Sequence, residues 1–236
     1  MHGRSGGGAP GLLESIFDAR TIALVGTSPG SYWADKAIRN LALCRRPPRV
    51  FTVHPGLKRV AGLRCVRSLS QAPFPPDLVL ILAPAAAAPE VVRQAARAGA
   101  RAAIVVGDAG PSGDAGVPPA IEALRRAAVE TGLVVLGPGS LGAMSPVSGA
   151  YPFVGRLLSA PPSGRIGIVS QSGAVAIEIL RAPLDERLGL SRLLCVGSGA
   201  SIGSAAAIEA LVRDPETRAI GAHIEAVDDP ARLAAA

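Results

Sequence analysis

Aromatic residues are scarce in this 236-residue chain: four phenylalanines, two tyrosines and one tryptophan make up 3% of it. That is too few for the stacking platforms of a single-strand nucleic-acid binder. Neither a basic helix nor a zinc-finger spacing is present, so nucleic acid is not an expected partner. Cysteine is equally sparse. Cys44, Cys65 and Cys195 are odd in number, far apart and free of a CxxC spacing, which argues against a disulfide framework and a zinc site; no metal site is expected, and the three read as reduced, buried thiols. No run of about 18 uninterrupted apolar residues occurs. The opening "MHGRSGGGAPG" lacks the apolar stretch of a signal peptide, so a soluble, cytoplasmic protein with no membrane association is expected, with residues 1–11 disordered. Acidic residues number 18 against 24 basic ones, a formal charge of +6. Nearly all the basic residues are arginines scattered through an alanine-, glycine- and proline-rich chain, which biased usage explains as well as a binding face does. An anionic small ligand would also welcome some of this charge.

What is present is apolar sequence in quantity, 49% of the chain, enough for one large core or two modest ones. Short apolar runs alternate with helical patterns, the signature of a parallel sheet covered by helices. Strands are predicted at 21–26, 49–53, 78–82, 102–106 and 133–137, with helices at 33–44, 89–98 and 118–130, the last two opening on proline, where a missing N–H costs nothing. This gives an α/β fold: a Rossmann-like parallel-sheet domain over 12–140, its ligand at the carboxyl ends of the strands. Residues 141–163, rich in glycine, proline and serine, read as a linker. The pattern restarts over 164–236 with strands at 165–169, 192–196 and 219–226 and helices from Gly173, from Ala205 and at Asp229–Pro230, where Asp229 is a good N-cap. This second domain reads as an incomplete flavodoxin-like α/β unit. Three parallel strands would leave an open apolar edge for another chain or segment to cover.

Two turns are candidate sites. "VGTSPGSYW" leaves the first strand with Gly26, Thr27, Ser28 and Gly30, and backbone N–H groups at such a turn can hold phosphate beside a helix start. It is neither GxGxxG nor a Walker loop, and glycine with hydroxyls also makes ordinary tight turns. The second is "VSQSGAV". Ser170 and Ser172 offer hydroxyls, Gly173 permits close approach, and the N–H groups of Gly173, Ala174 and Val175 are the unpaired donors of a helix start. Together they would cradle a phosphate, but on this segment alone a simple cap of the helix by Ser172 is the favoured reading.

Over about residues 12–230 these segments, in order, resemble the NDP-forming (ADP-forming) acyl-CoA synthetases, a family that includes the α subunit of succinyl-CoA synthetase. "SIFDARTIALVGTSP", "VFTVHPG" followed by "VAGL", and "DLVLILAPA" resemble its CoA-binding domain. "LGPGSLG" resembles its GPNxxG turn, "IGIVSQSGAV" its phosphate-binding helix start, and "RDPETRAI" its approach to a later strand. The resemblance implies coenzyme A across the first domain, at Gly26, Thr27 and Ser28 near its phosphates, Pro55 and Lys58 beside the nucleotide, and Pro84 and Ala85 lining the cleft. Arg39, Arg45 and Arg46 would add surface charge or solvate helix ends. It further implies that Ser170, Ser172 and Gly173 hold a transferred phosphoryl group, and that Glu225 orients a phosphohistidine supplied elsewhere.

That histidine would follow the next helix and strand, after residue 236; His2, His54 and His223 do not match it. His223 reads as a packing residue and His54 as a loop residue at the cleft. The family's asparagine in GPN is Gly139 here, and its glycine-asparagine pair and later aspartate appear as Ser198 and Ser201, each change removing an amide or a carboxylate. ATP or ADP with Mg would come through a partner ATP-grasp domain or subunit, or through a C-terminal segment; oligomerisation is compatible with this. Two functions follow from the resemblance. One is the CoA-binding component of an acid-thiol ligase, incomplete alone. The other is a catalytically degenerate regulatory module that binds CoA or acyl-CoA. The phosphate joint and Glu225 favour the first.

Overall fold

The structure, a computed structural model, describes residues 11–108, 117–181, 188–227 and 229–236. The expected disordered stretch 1–11 lies outside these residues except for Gly11, which precedes the first helix. In chain order the first region comprises α1 (Leu12–Phe17), β1 (Thr21–Val25), α2 (Tyr32–Ala42), β2 (Arg49–Val53), β3 (Arg59–Val60), β4 (Leu63–Val66), β5 (Leu78–Ile81), α3 (Ala88–Arg97), β6 (Ala102–Val105), α4 (Pro119–Thr131) and β7 (Val134–Leu136). The second comprises β8 (Gly142–Met144), β9 (Ser163–Ser170), α5 (Gly173–Arg181), β10 (Leu190–Cys195), α6 (Ser204–Val212), β11 (Ala219–His223) and α7 (Pro230–Ala235). No helix among the described residues is long and apolar enough to cross a membrane.

The first sheet runs β3-β4-β2-β1-β5-β6-β7, with β2, β1, β5, β6 and β7 parallel neighbours. The two-residue alternation of strand side chains sorts β1 between two cores. Ile22 and Leu24 pack with α1 and α2 residues such as Phe17 and Leu41. Ala23 and Val25 pack with Val92 of α3 and Leu124 of α4. All five predicted strands are present. The β3–β4 hairpin was not expected, because its strands are too short to show alternation. Its turn, Ala61 and Gly62, takes positive φ at both residues (48° and 79°), as a two-residue hairpin demands, without the usual Asn-Gly signature.

The second sheet runs β11-β9-β10-β8. Here the predicted linker needs correction. Within 141–163, β8 pairs antiparallel with β10, Leu194 opposite Ala143, and closes the edge that three parallel strands would have left on that side. Leu141, Met144, Tyr151, Phe153 and Val154 are buried in a cluster that runs from Leu24 and Leu80 of the first sheet to Val169 and Leu194 of the second. A glycine- and proline-rich stretch without periodicity fills the space between the sheets. Asn40 of α2, almost wholly buried, pins it by donating to the carbonyls of Phe153 (2.5 Å) and Gly155 (2.7 Å). The remaining open edge is β11, where Ala219 and Ala222 are exposed.

Candidate functional site

β1 lies between β2 and β5, so successive connections leave it in opposite directions and open a crevice at the carboxyl ends of the strands. Gly26 enters this crevice at φ 82°, and a Cβ there would lie 2.6 Å from the amide nitrogen of Ala83. The turns after β1 and β5 therefore meet only because residue 26 is glycine. Thr27 is fully buried, and its Oγ1 has no hydrogen-bond partner. A buried hydroxyl left unpaired costs about 1–3 kcal/mol, a cost that a bound acceptor would offset. Ser28 is exposed; its carbonyl accepts from the Ser31 amide at 3.1 Å, and the Ser31 hydroxyl caps α2 by accepting from Ala34 at 3.4 Å. Pro55 and Pro84 stand exposed on the turns after β2 and β5, with Ala85 buried behind Pro84. Six of the expected CoA residues thus occupy three neighbouring turns of one crevice, while Lys58 lies farther along, in a depression it shares with Arg64 and Arg67. His54 is a loop residue as expected, its Nδ1 accepting from the Gly56 amide at 3.1 Å. Arg39 is held at 2.9 Å by Asp35.

At the carboxyl end of the second sheet, Ser170 stands in register with Cys195 on one side and His223 on the other. Ser170 is fully buried and donates its hydroxyl to the Ser172 carbonyl at 2.7 Å; the Ser172 hydroxyl accepts from the Val175 amide at 3.3 Å. Ser172 is therefore the N-cap of α5. The Ser170 hydroxyl proton and the Val175 amide are already engaged, contrary to the expectation of free donors, whereas the Ser172 hydroxyl accepts and keeps its own proton to donate. The amides of Gly173 and Ala174 are the first-turn donors of α5 that have no helical acceptor. Gly173 also has a packing reason, since a Cβ there would lie 2.7 Å from Cγ of Leu141.

The residue that organises this end is Gln171, between the two serines, which sequence reasoning passed over. Its Oε1 accepts from the amides of Glu225 (2.7 Å) and Ala226 (2.9 Å), and its Nε2 donates to the Ala226 carbonyl (2.8 Å) and the Ser204 hydroxyl (3.1 Å). These bonds replace sheet pairing after His223, so β11 stops there, three residues short of the predicted strand end, and Glu225 stands exposed on a loop. Burial raises the pKa of the Cys195 thiol, and the charge of Glu225 raises it further. The only sequence signal for Gln171 was its place inside "SQSG"; its partners are more than 30 residues away. Beside it, Gln171, Ser201, Ser204, Ala226 and Arg232 line an open cavity of about 290 Å³, to which Arg125 of α4 contributes from the first region. Ser198 sits instead on the interdomain loop, its amide donating to the Pro138 carbonyl at 2.9 Å.

A family model described as a CoA binding domain matches residues 20–146, more than half of the chain. The chain belongs to this CoA-binding family. Downstream of the CoA-binding domain, residues 163–236 match a second model, the succinyl-CoA ligase-like flavodoxin domain. The expected fold class and resemblance both hold. The chain is 28% identical over 225 residues to the ADP-forming acetate–CoA ligase I of Archaeoglobus fulgidus, covering 92% of this chain and 31% of that protein. It is 26% identical to the α subunit of the ADP-forming acetate–CoA ligase I of Pyrococcus furiosus, covering 94% and 48%. The dinucleotide-forming acetyl-coenzyme A synthetase 1 of Ca. Korarchaeum cryptofilum, solved with phosphate and ADP, superposes with a TM-score of 0.78 at 28% identity, covering 93% of this chain and 47% of that one. The chain spans about a third to a half of the length of these relatives.

Proposed function

We propose that this chain is the CoA-binding component of an ADP-forming acyl-CoA synthetase, which interconverts an acid, CoA and ATP with acyl-CoA, ADP and phosphate through an acyl phosphate and a phosphohistidine. The observation that carries this reading is the Gln171 clamp. It holds the Glu225 loop against the start of α5, an arrangement of use in phosphoryl transfer and of none in holding CoA alone.

In this reading the crevice at Gly26, Thr27 and Ser28 takes the CoA diphosphate. Its fit is supported by the unpaired Thr27 hydroxyl and by the absence of any side chain at Gly26. The amides of Gly173 and Ala174, at the positive end of α5, stabilise the charge of a phosphoryl group without reorganising. Ser170 acts by shaping that helix start, its proton being spent on the Ser172 carbonyl, while Ser172 caps the helix as an acceptor and keeps its own hydroxyl proton to donate to the phosphoryl group. Glu225 accepts a hydrogen bond from the ring N–H of a phosphohistidine supplied elsewhere, and so fixes its tautomer and orientation. ATP, ADP and Mg are handled by a partner ATP-grasp domain or subunit. The exposed edge of β11 is a surface that such a partner or a further segment would cover.

Calorimetry with CoA and phosphorus NMR with inorganic phosphate test this on the full chain. Both ligands should bind, independently. Ser172→Asp keeps a good N-cap but adds a charge beside the Gly173 amide; it should abolish phosphate binding and leave CoA affinity unchanged. Absence of CoA binding overturns the reading, and phosphate binding that survives Ser172→Asp removes the phosphoryl site from it.

A further inference from the structure

The first sheet carries a pocket at the end opposite the crevice. Arg20 precedes β1 and Pro48 precedes β2, so this pocket, of about 270 Å³, opens at the amino ends of strands whose carboxyl ends form the crevice. Its floor is apolar and buried: Ile16 and Phe17 from α1, Ile22 from β1 and Leu41 from α2. Its rim holds three arginines, Arg20, Arg45 and Arg46, against one carboxylate, Asp18. Among the described residues none of these four is in an ion pair. The carbonyls of Asn40 and Leu41 at the end of α2 already accept from the amides of Leu43 and Cys44, so Arg45 and Arg46 are not spent on them. The backbone holds Arg45 in place. Its amide donates to the Gly149 carbonyl at 2.8 Å, and a Cβ at Gly149 would lie 2.6 Å from its own Cβ, so the interdomain segment closes directly onto the end of α2.

That segment brings Tyr151 to the pocket, where it is only 3% exposed. Its amide donates to Cys44 Sγ at 3.3 Å, but among the described residues its hydroxyl has no hydrogen-bond partner, which a buried phenol ordinarily finds. Burial raises the pKa of the Tyr151 phenol and of the Cys44 thiol, so both stay neutral near pH 7 and Asp18 is the one anionic group lining the pocket. We infer that this pocket is a second binding site, for a small carboxylate with a short apolar tail, its head on Arg45, Arg46 and the Tyr151 hydroxyl and its tail over Phe17, Ile22 and Leu41. Guanidinium forks match the two carboxylate oxygens, and the apolar floor favours a ligand with a tail over a bare inorganic anion. The crevice and the Gln171 clamp both lie at carboxyl ends of strands, so a ligand here is an effector and not a reactant. It touches α1, α2 and residues 148–152 at once, and its binding stabilises the junction between the two regions. None of this rests on the CoA reading of the crevice.

Calorimetry on the full chain with butyrate, hexanoate, hexanol and inorganic phosphate tests this. Hexanoate should bind about tenfold more tightly than butyrate, as two further buried methylenes require, and should raise the thermal midpoint. Hexanol and phosphate should each bind at least about tenfold more weakly than hexanoate, since each lacks one half of the match. The double variant Arg45→Gln, Arg46→Gln should weaken hexanoate about tenfold to a hundredfold, and Tyr151→Phe about tenfold. The double variant should keep the unliganded thermal midpoint, because both arginines are exposed. Hexanoate affinity that survives the double variant puts the acid at another site and overturns the inference. Hexanol that binds as tightly as hexanoate, or phosphate that displaces it, overturns it as well, as does the absence of hexanoate binding at millimolar concentration. Loss or retention of CoA binding bears only on the proposed function.

Discussion

The two halves of the molecule build their candidate sites by different means. In the first, the crevice follows from topology: β1 is flanked by β2 and β5, and any chain with that strand order opens a cleft there. Backbone turns supply most of it, and Gly26 and Thr27 refine it. In the second, the sheet contributes only the starting positions, and a single side chain, Gln171, joins elements separated by 33 and 55 residues through four hydrogen bonds. A topological site is insensitive to most substitutions, whereas a clamped site depends on one. The halves also share a core, so their stabilities are linked even though their sites are built differently.

That comparison can be broken most forcefully at the shared core. Phe153 is fully buried between the sheets, and Phe153→Ala should cost about 3–5 kcal/mol by urea denaturation, with intrinsic fluorescence and far-ultraviolet dichroism moving together. Two separated transitions would mean that the halves fold independently. The clamp is the next largest effect. Gln171→Ala should lower the local opening energy at the amides of Glu225 and Ala226 by about 2 kcal/mol, read by native-state hydrogen exchange, while CoA binding by calorimetry stays unchanged. A loss of CoA affinity in that variant would erase the distinction between the two sites.

Smaller effects compare like with like. Ser31 caps α2 in the first half and Ser172 caps α5 in the second, at 3.4 and 3.3 Å, so each Ser→Ala change should cost about 1 kcal/mol by chemical denaturation. Only Ser172→Ala should also weaken phosphate binding; an equal loss from Ser31→Ala would show that the anion prefers the first half. The smallest effect is in acid. Burial acts to raise the Asp77 pKa, but the amide of Arg20, the hydroxyl and amide of Thr21 and the charge of Arg101 together hold it below the ordinary carboxylate value. A depressed folded pKa contributes stability that is complete above the unfolded value, near 4, and is lost as pH falls through the folded one. The first half should therefore weaken below about pH 4, and Asp77→Asn should flatten that dependence in acid denaturation followed by dichroism.

The parts visible in the sequence are those with a local cause. All the predicted strands appear because each is a short apolar run, and α7 begins at Pro230 because the Asp229 side chain accepts from the Arg232 amide at 2.9 Å. The β3–β4 hairpin escaped because two- and four-residue strands carry no period. The segment 141–163 passed for a linker because glycine and proline mask the few large side chains, Met144, Tyr151 and Phe153, that make it core. In "SQSG" the two serines drew attention as phosphate donors, yet Ser172 is a cap and the glutamine between them holds the site.

Periodicity, caps and turn residues act over a few positions, so the sequence alone determined the strands, the helix starts and the cleft that their order implies. Gln171 needed Glu225, Ala226 and Ser204 brought to it, and Arg45, Arg46 and Tyr151 needed the interdomain segment folded against α2, so only the tertiary structure decided those sites. Hydrogen bonds and charge act through distance in space, and separation along the chain carries no record of it.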